Sequence, residues 1–421
     1  MEGPGDFFMK KMLLKNVMLN GVLTDVLVEG NRFAKIAPSL PDVADEVMDC
    51  TGLAILPPYY NGHTHAAMAL LRGYADDYDL FDWLSNHIWP LEAKLTEYDV
   101  YVGTKLACLE MIRSGTVFFN DMYWFQPGTI RAADEMGMRA DVGVMMLSGG
   151  GNDQRTANDD LMAGKVPHSD LIRISMAPHA IYTVSGDKLK FCADFAKAND
   201  MPLTTHLAET KKEFDDCMAE HGMTPTAYLD SLGLLTDRTT LAHSVWMTDD
   251  DFKRIADSGA VLVHNPVSNC KLASGTFNYP AAEKAGCRVV IGTDGNASNN
   301  NVSMIEEVKM AALLAKNLSG DPKMLNAQKA FDMATVNAAK VFGVDAGIAE
   351  GKIADFMLVD LNDESLIPGY NLISDMVYSA GKSCIHTVVC NGRVLMKAHH
   401  VPGEDAIISE SRAVVSALLK R

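Results

Sequence analysis

The middle of the chain alternates between short apolar runs and longer segments with helical periodicity. Residues 96–114 carry apolar side chains at helical spacing, with Thr96 and Asp99 in capping positions and Gly115 at the end. This pattern predicts a helix. A strand is predicted at 117–119, a helix at 129–136 and a strand at 140–147. The alternation continues to about residue 341 and is typical of βαβ units around a parallel sheet.

About eight such units predict an α/β protein with a closed (β/α)8 barrel of the TIM type. We expect this barrel to occupy residues 57–346. An open, doubly wound sheet is the structural alternative. No G-x-G-x-x-G motif follows the first strand, so the usual cofactor signature of that alternative is missing.

Both ends of the chain have a different pattern, with short strands separated by turn residues. Strands are predicted at 22–28 and 33–36, joined by a Gly30-Asn31 turn, and again at 356–359. Residues 386–390 and 393–396 flank Asn391-Gly392, which predicts a hairpin with a type I′ turn. We therefore expect a small β-sandwich domain built from both termini, residues 1–56 and 347–421.

Composition and charge exclude several classes of partner. The chain has 421 residues, and its 37 basic and 54 acidic residues give a net charge of −17 without a basic cluster. Nucleic acids and anionic membrane surfaces are therefore not expected partners. No apolar run approaches a membrane span and no signal pattern opens the sequence. The eight cysteines form no C-x-x-C motif, and we expect reduced thiols in a cytoplasmic protein.

Chemically active side chains follow the predicted strands of the barrel, at the point where each strand ends. They are His63 and His65 after 54–56, His179 after 172–176, His206 and Glu209 after 203–205, His243 after 241–242, His264 after 261–263, and Asp294 after 289–293. Because parallel strands of a barrel all end on one rim, these segments converge where active sites of this fold lie.

Two imidazoles two residues apart in His63-Thr64-His65 point to the same side of an extended backbone. Taken alone, such a pair often arises by chance, and Asp294 could simply cap a helix beginning near Ser298. Together, His63, His65, His206 and Asp294 predict a nitrogen and oxygen site for one divalent metal, Zn²⁺ or Fe²⁺.

The residues around these positions resemble the amidohydrolase superfamily, and more narrowly the 5′-methylthioadenosine/S-adenosylhomocysteine deaminases. The resemblance covers essentially the whole chain. The segments that carry it are Asn61-Gly62-His63-Thr64-His65, Leu71-Arg72-Gly73-Tyr74-Ala75-Asp76-Asp77, Trp89-Pro90-Leu91-Glu92, His206-Leu207-Ala208-Glu209-Thr210, His264-Asn265-Pro266 and Gly292-Thr293-Asp294-Gly295.

The resemblance implies a role for each of these residues. His63, His65, His206 and Asp294 would bind one divalent metal, usually zinc; Glu209 would pass a proton to the ring nitrogen; His243 would orient the attacking water; Glu92 would hold the ribose hydroxyls; and His179 would touch the nucleoside. No lysine ends the strand before His179, so we expect one metal ion rather than two. Chemically, Asp294 suits acceptance of the water's proton, and Glu209 suits donation to the ring.

Less specific interpretations remain for some of these residues. Glu92 could begin a surface helix, and His179 could be a hydrogen-bonded histidine of the rim. His264-Asn265-Pro266 is expected to fix a rim turn and receives no chemistry. The long polar loop 148–169 is typical of a lid or binding rim.

The expected reaction is hydrolytic deamination at purine C6 of adenosine-type nucleosides: 5′-methylthioadenosine, S-adenosylhomocysteine or adenosine. Some relatives carry an arginine for the homocysteine carboxylate where this chain has Val144. Arg155 is the remaining candidate, and uncharged nucleosides are therefore favoured. The alternatives are another amino-heterocycle, such as guanine, a pterin or a triazine, and a non-catalytic ligand-binding barrel. A homo-oligomer is expected on general frequency.

Overall fold

The N-terminal strands form the first part of a mixed sheet. The structure, a computed structural model, describes residues 11–41, 43–148 and 158–421. The first five strands are β1 (Lys11–Leu19), β2 (Val22–Glu29), β3 (Arg32–Ala37), β4 (Glu46–Asp49) and β5 (Leu53–Leu56). Strands β1 to β3 form an antiparallel meander, and β4 and β5 pair with β1 in parallel. The two predicted strands at 22–28 and 33–36 are therefore present.

Eight parallel strands follow and form the barrel. They are β6 (Tyr59–Thr64), β7 (Thr116–Asp121), β8 (Arg139–Met146), β9 (Ile172–Pro178), β10 (Leu203–Leu207), β11 (Thr239–His243), β12 (Val261–His264) and β13 (Arg288–Ile291). Each strand pairs with the next along the chain. The ring closes where the backbone N–H groups of Thr293 and Asp294 donate to the carbonyl of His63, at 3.1 and 3.0 Å. The predicted (β/α)8 fold is confirmed.

Glycine permits this close approach of the last and first strands. A Cβ atom on Gly292 would lie 2.7 Å from the backbone nitrogen of His63 and 2.6 Å from Oδ1 of Asn265. Any larger residue at this position would push β13 away from β6, and with it the carboxylate of Asp294.

Helices surround the barrel and connect its strands. The α-helices up to the last barrel strand are α1 (Leu80–Asp82), α2 (Trp89–Glu92), α3 (Glu97–Arg113), α4 (Gln126–Met136), α5 (Asn158–Met162), α6 (Gly186–Ala198), α7 (Lys211–His221), α8 (Pro225–Ser231), α9 (Asp249–Ser258), α10 (Pro266–Lys271) and α11 (Tyr279–Ala285). Those after it are α12 (Asn296–Asn299), α13 (Met304–Ser319), α14 (Ala327–Ala334) and α15 (Val336–Val341). A 3₁₀ helix spans Ala66–Leu71, and a π-helical turn spans Trp83–Ile88.

The predicted helix at 96–114 matches α3, and its capping is the one expected. Thr96 Oγ1 accepts from the backbone N–H of Asp99, and the Asp99 carboxylate accepts from the backbone N–H of Thr96. Within the described ranges, none of the helices has both the length and the apolar character needed to cross a bilayer.

The chain then returns to the first sheet. Strands β14 (Phe356–Asp360), β15 (Ile385–Cys390) and β16 (Arg393–Met396) extend it through the pairing of β14 with β5, so that all eight strands belong to one mixed sheet. Asn391 and Gly392 have φ values of 52° and 76°, as the predicted type I′ hairpin requires. Short 3₁₀ helices span Glu364–Leu366 and Lys382–Cys384. A small β unit built from both termini is therefore confirmed.

Two details differ from the sequence predictions. The apolar run 54–56, expected to lead directly into the metal pair, belongs to β5 in the terminal sheet, and a separate strand, β6, carries His63. The C-terminal region also contains helices α16 (Leu372–Tyr378) and α17 (Glu404–Leu418), and α17 packs against α3 of the barrel.

A buried polar network joins the sheet to the barrel. The Tyr60 hydroxyl donates to Oδ2 of Asp355 at 2.7 Å, and Arg139 Nε donates to the same oxygen at 2.9 Å. Tyr60 and Arg139 lie on barrel strands, whereas Asp355 directly precedes β14. Because Asp355 is fully buried, its charge is compensated by these two contacts.

Candidate active site

The predicted metal ligands meet at the carboxyl-terminal rim of the barrel. His63 and His65 lie at the end of β6, His206 lies on β10, and Asp294 follows β13. The ring of His63 is centred 4.9 Å from that of His65 and 4.8 Å from that of His206. We call these four residues the metal-donor cluster. His243, at the end of β11, lies close enough to be grouped with His63 and Asp294 as a possible ligand.

Backbone carbonyls orient two of the imidazoles. His65 Nδ1–H donates to the carbonyl of Met122 at 2.5 Å, and His206 Nδ1–H donates to the carbonyl of His179 at 2.8 Å. The Nε2 atoms of both rings are then left with lone pairs, and they face each other at 3.3 Å. Oδ1 of Asp294 lies 3.3 Å from Nε2 of His65. Converging lone pairs and a carboxylate oxygen form a site that a cation stabilises.

His63 completes this donor set. It is fully buried, and among the described residues neither of its ring nitrogens has a hydrogen-bond partner. Burial lowers the pKa of His63 to about 4, so the ring is neutral and able to ligate a metal. A buried imidazole without hydrogen-bond partners is unfavourable unless one of its nitrogens binds another group, such as a metal ion. Three imidazoles and one carboxylate fit a divalent metal ion such as Zn²⁺ or Fe²⁺.

Asp294 is held so that one oxygen faces the imidazoles. Its Oδ2 accepts hydrogen bonds from the hydroxyls of Ser268 at 2.6 Å and Ser298 at 2.7 Å. Burial would raise the pKa of Asp294, but His63 and His243 outweigh that effect and hold it well below its usual range. The alternative helix-capping role is wrong, because α12 has Gly295 at its N-cap and no side-chain cap.

Glu209 lies beside this cluster but outside the group of possible ligands. Its Oε2 is 3.8 Å from Nε2 of His243, and the hydroxyl of Ser274 donates to its Oε1 at 3.4 Å. Burial raises the pKa of the Glu209 carboxyl, and His243 offsets only part of that rise. A buried carboxyl near a metal site, with a raised pKa, is suited to hold and donate a proton.

His243 faces both carboxylates. Burial would lower its pKa, but the charges of Glu209 and Asp294 outweigh burial and raise the pKa of His243. Its backbone has a φ of 71°, a left-handed conformation that is uncommon for a residue with a side chain. Non-glycine residues in such conformations are concentrated at functional sites.

A cavity at the rim of the barrel opens onto these groups. Glu92 and His179 both line it, together with His65, His206, Glu209, His243 and Asp294. Glu92, at the end of α2, is only 3% exposed, so the surface-helix alternative for this residue is wrong. The rest of the lining is mostly apolar and includes the group that we call the apolar wall: Trp83, Leu84, Tyr123, Trp124, Met145 and Leu147.

The hydrogen bonds of His179 define which ring nitrogen can meet a ligand. The Thr183 hydroxyl donates to the carbonyl of Ala180 at 3.2 Å, so its oxygen accepts from His179 Nδ1–H at 2.8 Å. Burial, with the neighbouring imidazoles, lowers the pKa of His179 to about 3. The neutral ring therefore keeps an acceptor at Nε2.

Val144 does not line the cavity. It is fully buried in the barrel core, whereas Met145 and Leu147 reach the cavity. Like Val144, the two residues of this segment that do line the cavity are uncharged. Arg155 lies outside the described residues, as does most of the first half of the loop 148–169.

The sequence profile of the amidohydrolase family matches residues 54–395. The chain belongs to the amidohydrolase family. The 5′-deoxyadenosine deaminase of Methanospirillum hungatei is 44% identical over 393 residues, which cover 92% of this chain and 88% of the relative. The 5-methylthioadenosine/S-adenosylhomocysteine deaminase 1 of Archaeoglobus fulgidus is 42% identical over 402 residues, which cover 92% of this chain and 93% of the relative.

A solved adenosine deaminase from Xanthomonas campestris, with bound zinc, has a TM-score of 0.91 at 31% identity and covers 98% of both chains. The resemblance inferred from the motifs is confirmed. So is the expectation that this amidohydrolase is an enzyme, a hydrolase that acts on C–N bonds.

Sequence reasoning missed Glu213 in this amidohydrolase. The buried carboxylate of Glu213 accepts the backbone N–H groups of Ala208 and Glu209, both at 2.9 Å. It therefore holds the turn that presents Glu209, and burial raises its own pKa to about 7. Thr210 caps α7 by accepting from the N–H of Glu213. The pattern Thr-x-x-Glu is a capping-box signature, so the sequence did contain a signal.

The segment after His264 was also underestimated. His264 itself stacks on Phe277 and does not line the cavity, in agreement with the absence of a chemical role. Asn265 and Pro266 begin α10 as expected of a turn. The residues that follow contact the active site, as Ser268 does with Asp294.

Proposed function

We propose that this amidohydrolase deaminates the adenine ring of nucleosides with the help of one Zn²⁺ ion bound by the metal-donor cluster. The observation that carries the proposal is Glu209, a buried carboxyl with a raised pKa that lies beside the donor set without belonging to it. The zinc bound to the solved adenosine deaminase of similar structure supports the choice of metal. When bound, zinc supplies a Lewis acid that lowers the pKa of a water molecule from 15.7 to about 7.

Asp294 serves as the base in this proposal. Its Oδ2 is occupied by the hydroxyls of Ser268 and Ser298, so Oδ1 is the oxygen that faces the reaction. It accepts a proton as the water oxygen bonds to C6 of the purine. His243, next to both carboxylates, orients the water.

Glu209 donates a proton to the ring nitrogen beside C6 in the same process. Attack at C6 breaks the aromaticity of the ring, and protonation of N1 prevents negative charge from building up there. The proton held by Asp294 then passes to the amino group as the C6–N bond breaks, the proton of the new C6 hydroxyl returns to Glu209, and the products are ammonia and the hypoxanthine form. A similar division between an activated water and a non-ligand glutamate is used by other zinc deaminases.

Glu92 and His179 recognise the substrate. A buried carboxylate at the position of Glu92 suits the two hydroxyls of a ribose, because hydrogen bonds to charged groups are stronger than those between neutral groups. His179, with its acceptor at Nε2, suits a hydroxyl or amino group of the nucleoside. Free bases would not use Glu92 in this way, which separates the proposal from a guanine, pterin or triazine substrate.

The apolar wall favours nucleosides with an uncharged 5′ group. No lysine or arginine is found among the described residues that line the cavity, so this part of the lining offers the homocysteine carboxylate of S-adenosylhomocysteine no counter-charge. 5′-Deoxyadenosine and 5′-methylthioadenosine offer apolar groups instead. The relative from M. hungatei is named for 5′-deoxyadenosine, and the relative from A. fulgidus for both 5-methylthioadenosine and S-adenosylhomocysteine.

The test is ammonia release by zinc-loaded protein from 5′-deoxyadenosine, 5′-methylthioadenosine, adenosine, S-adenosylhomocysteine and free adenine. We expect the two apolar nucleosides to have the highest kcat/KM and free adenine the lowest. If free adenine is turned over as well as the nucleosides, the substrate is a free base and the proposed ribose contact is wrong. Absence of hydrolysis across these nucleosides, with turnover of another amine in a wider panel, would overturn the proposed substrate class.

A further inference from the structure

One short segment contacts all three groups that move or orient protons. On α10 and the turn after it, Ser268 donates to Asp294, Asn269 contacts His243, and Ser274 donates to Glu209. Sequence reasoning assigned no chemistry to this region. All three side chains are buried, and each places one polar atom within hydrogen-bond distance of one of these groups.

Asn269 makes the most informative of these contacts. Its Oδ1 lies 2.8 Å from Nδ1 of His243. A carboxamide oxygen only accepts hydrogen bonds, so Nδ1 of His243 carries the hydrogen. In the neutral ring the lone pair is then on Nε2, the nitrogen that faces Glu209 at 3.8 Å.

We propose that Asn269 is a positioning residue that holds His243 in the Nδ1–H tautomer, with an Nε2 acceptor directed at the attacking water. The proposal rests on the proposed function, because it concerns the same reaction. The opposite tautomer would direct an N–H at the site and remove the acceptor. A hydrogen bond to one ring nitrogen sets the role of the other.

The segment is anchored so that it can fulfil this role. The backbone N–H of Val267 donates to Oε2 of the buried Glu307 at 3.2 Å. Lys271 Nζ donates to the carbonyl of Ala297 at 3.2 Å and to Asp76 at 2.5 Å. These contacts tie α10 to the elements after β13 and to the region before α1, so Asn269 sits on a fixed support.

Two substitutions of nearly equal shape separate positioning from simple packing. Asn269→Leu removes the acceptor, whereas Asn269→Asp keeps an oxygen at the same place. We expect kcat of the Leu variant to fall about 10- to 100-fold, as for other residues that orient active-site histidines, with KM and zinc content little changed. We expect the Asp variant to recover most of this loss. Cys270→Ser is the control, because Cys270 is exposed on the same helix, and full activity is expected.

The tautomer itself is measured by nitrogen NMR of protein labelled in its histidine rings. At a pH high enough for His243 to be neutral, the resonance of the wild-type protein that is lost on His243→Gln should show a protonated Nδ1 and an unprotonated Nε2, and Asn269→Leu should remove this preference. An unprotonated Nδ1 in the wild type would overturn the proposal, as would full kcat in a folded Leu variant. If the Leu variant does not fold, the wild-type spectrum and the Asp variant decide. Because the spectrum needs no turnover, it remains decisive if no nucleoside is deaminated.

Discussion

Three members of the metal-donor cluster (His65, His206 and Asp294) line the same cavity as the apolar wall, but the two groups are built in different ways. The cluster is attached to ends of barrel strands, and backbone carbonyls aim the rings of His65 and His206. Part of the apolar wall is attached to a π-helical turn, which carries Trp83 and Leu84. Ligand geometry therefore depends on a parallel sheet, whereas cavity shape depends partly on an irregular helix. Because the two groups lie on different elements, residues of the apolar wall can change without altering the strands that carry the donors.

The largest effect is expected at the cluster. His206→Ala removes one imidazole of the donor set, so zinc content should fall well below one per chain and deamination should become undetectable. Metal content by mass spectrometry and ammonia release measure both losses. His168→Ala is the matched control, since that imidazole is exposed and bonds only to the carbonyl of Val166 among the described residues. Full zinc content in His206→Ala would show that the cluster is misassigned.

Glu209→Gln separates proton transfer from metal binding. The variant keeps the shape of the side chain but cannot supply the proton in the same way, so kcat should fall about 10²- to 10⁴-fold while zinc remains bound. Glu220→Gln, on the exposed face of α7, should leave both unchanged. A Glu209→Gln variant with wild-type kcat would remove the observation on which the proposed function depends.

Glu92→Gln tests the ribose contact. Loss of a charged acceptor should lower kcat/KM for nucleosides about 10- to 100-fold, mainly through KM, because hydrogen bonds to charged groups contribute about 1.5–3 kcal/mol. Residual activity on free adenine, where measurable, should not change. An equal fall in kcat/KM for free adenine and for nucleosides would mean that Glu92 contacts the purine ring or stabilises the fold instead of binding the ribose.

The smallest effect is expected at the apolar wall. Leu147→Arg places a cation at a partly exposed lining position and should raise kcat/KM for S-adenosylhomocysteine relative to 5′-deoxyadenosine about three- to tenfold. Leu147→Met preserves the apolar surface and should leave this ratio unchanged. An unchanged ratio in Leu147→Arg would indicate that the 5′ group lies against another part of the cavity.

The difference between the two regions also explains what the sequence could predict. Strand ends are visible as apolar runs followed by a polar residue, and parallel topology brings them together, so the convergence of His206 and Asp294 was predictable. For His63 the apolar run used was that of β5, and the strand that carries this residue, β6, was not recognised. The contact between Asn269 and His243 joins residues 26 positions apart, and no local sequence pattern predicts it. The π-helical turn likewise depends on tertiary packing of Trp83 and its neighbours.

Other omissions had a local signal. Helix α17 buries Ile407, Val414 and Leu418, a helical spacing that could have been recognised beside the strands of the C-terminal region. Val144 and Met145, in contrast, are a case in which the sequence carries no local signal. A run of apolar residues in a barrel strand does not reveal which of two neighbours faces the cavity, because both faces of the strand are buried.

The most direct test of the central claim is the fate of 5′-deoxyadenosine in water enriched in heavy oxygen. If zinc-loaded protein works as proposed, one heavy oxygen enters at C6 of the purine for each ammonia released, and Glu209→Gln blocks both at full zinc occupancy. Intact nucleoside after prolonged incubation with zinc-loaded, folded protein, or product whose new oxygen does not come from water, would contradict it.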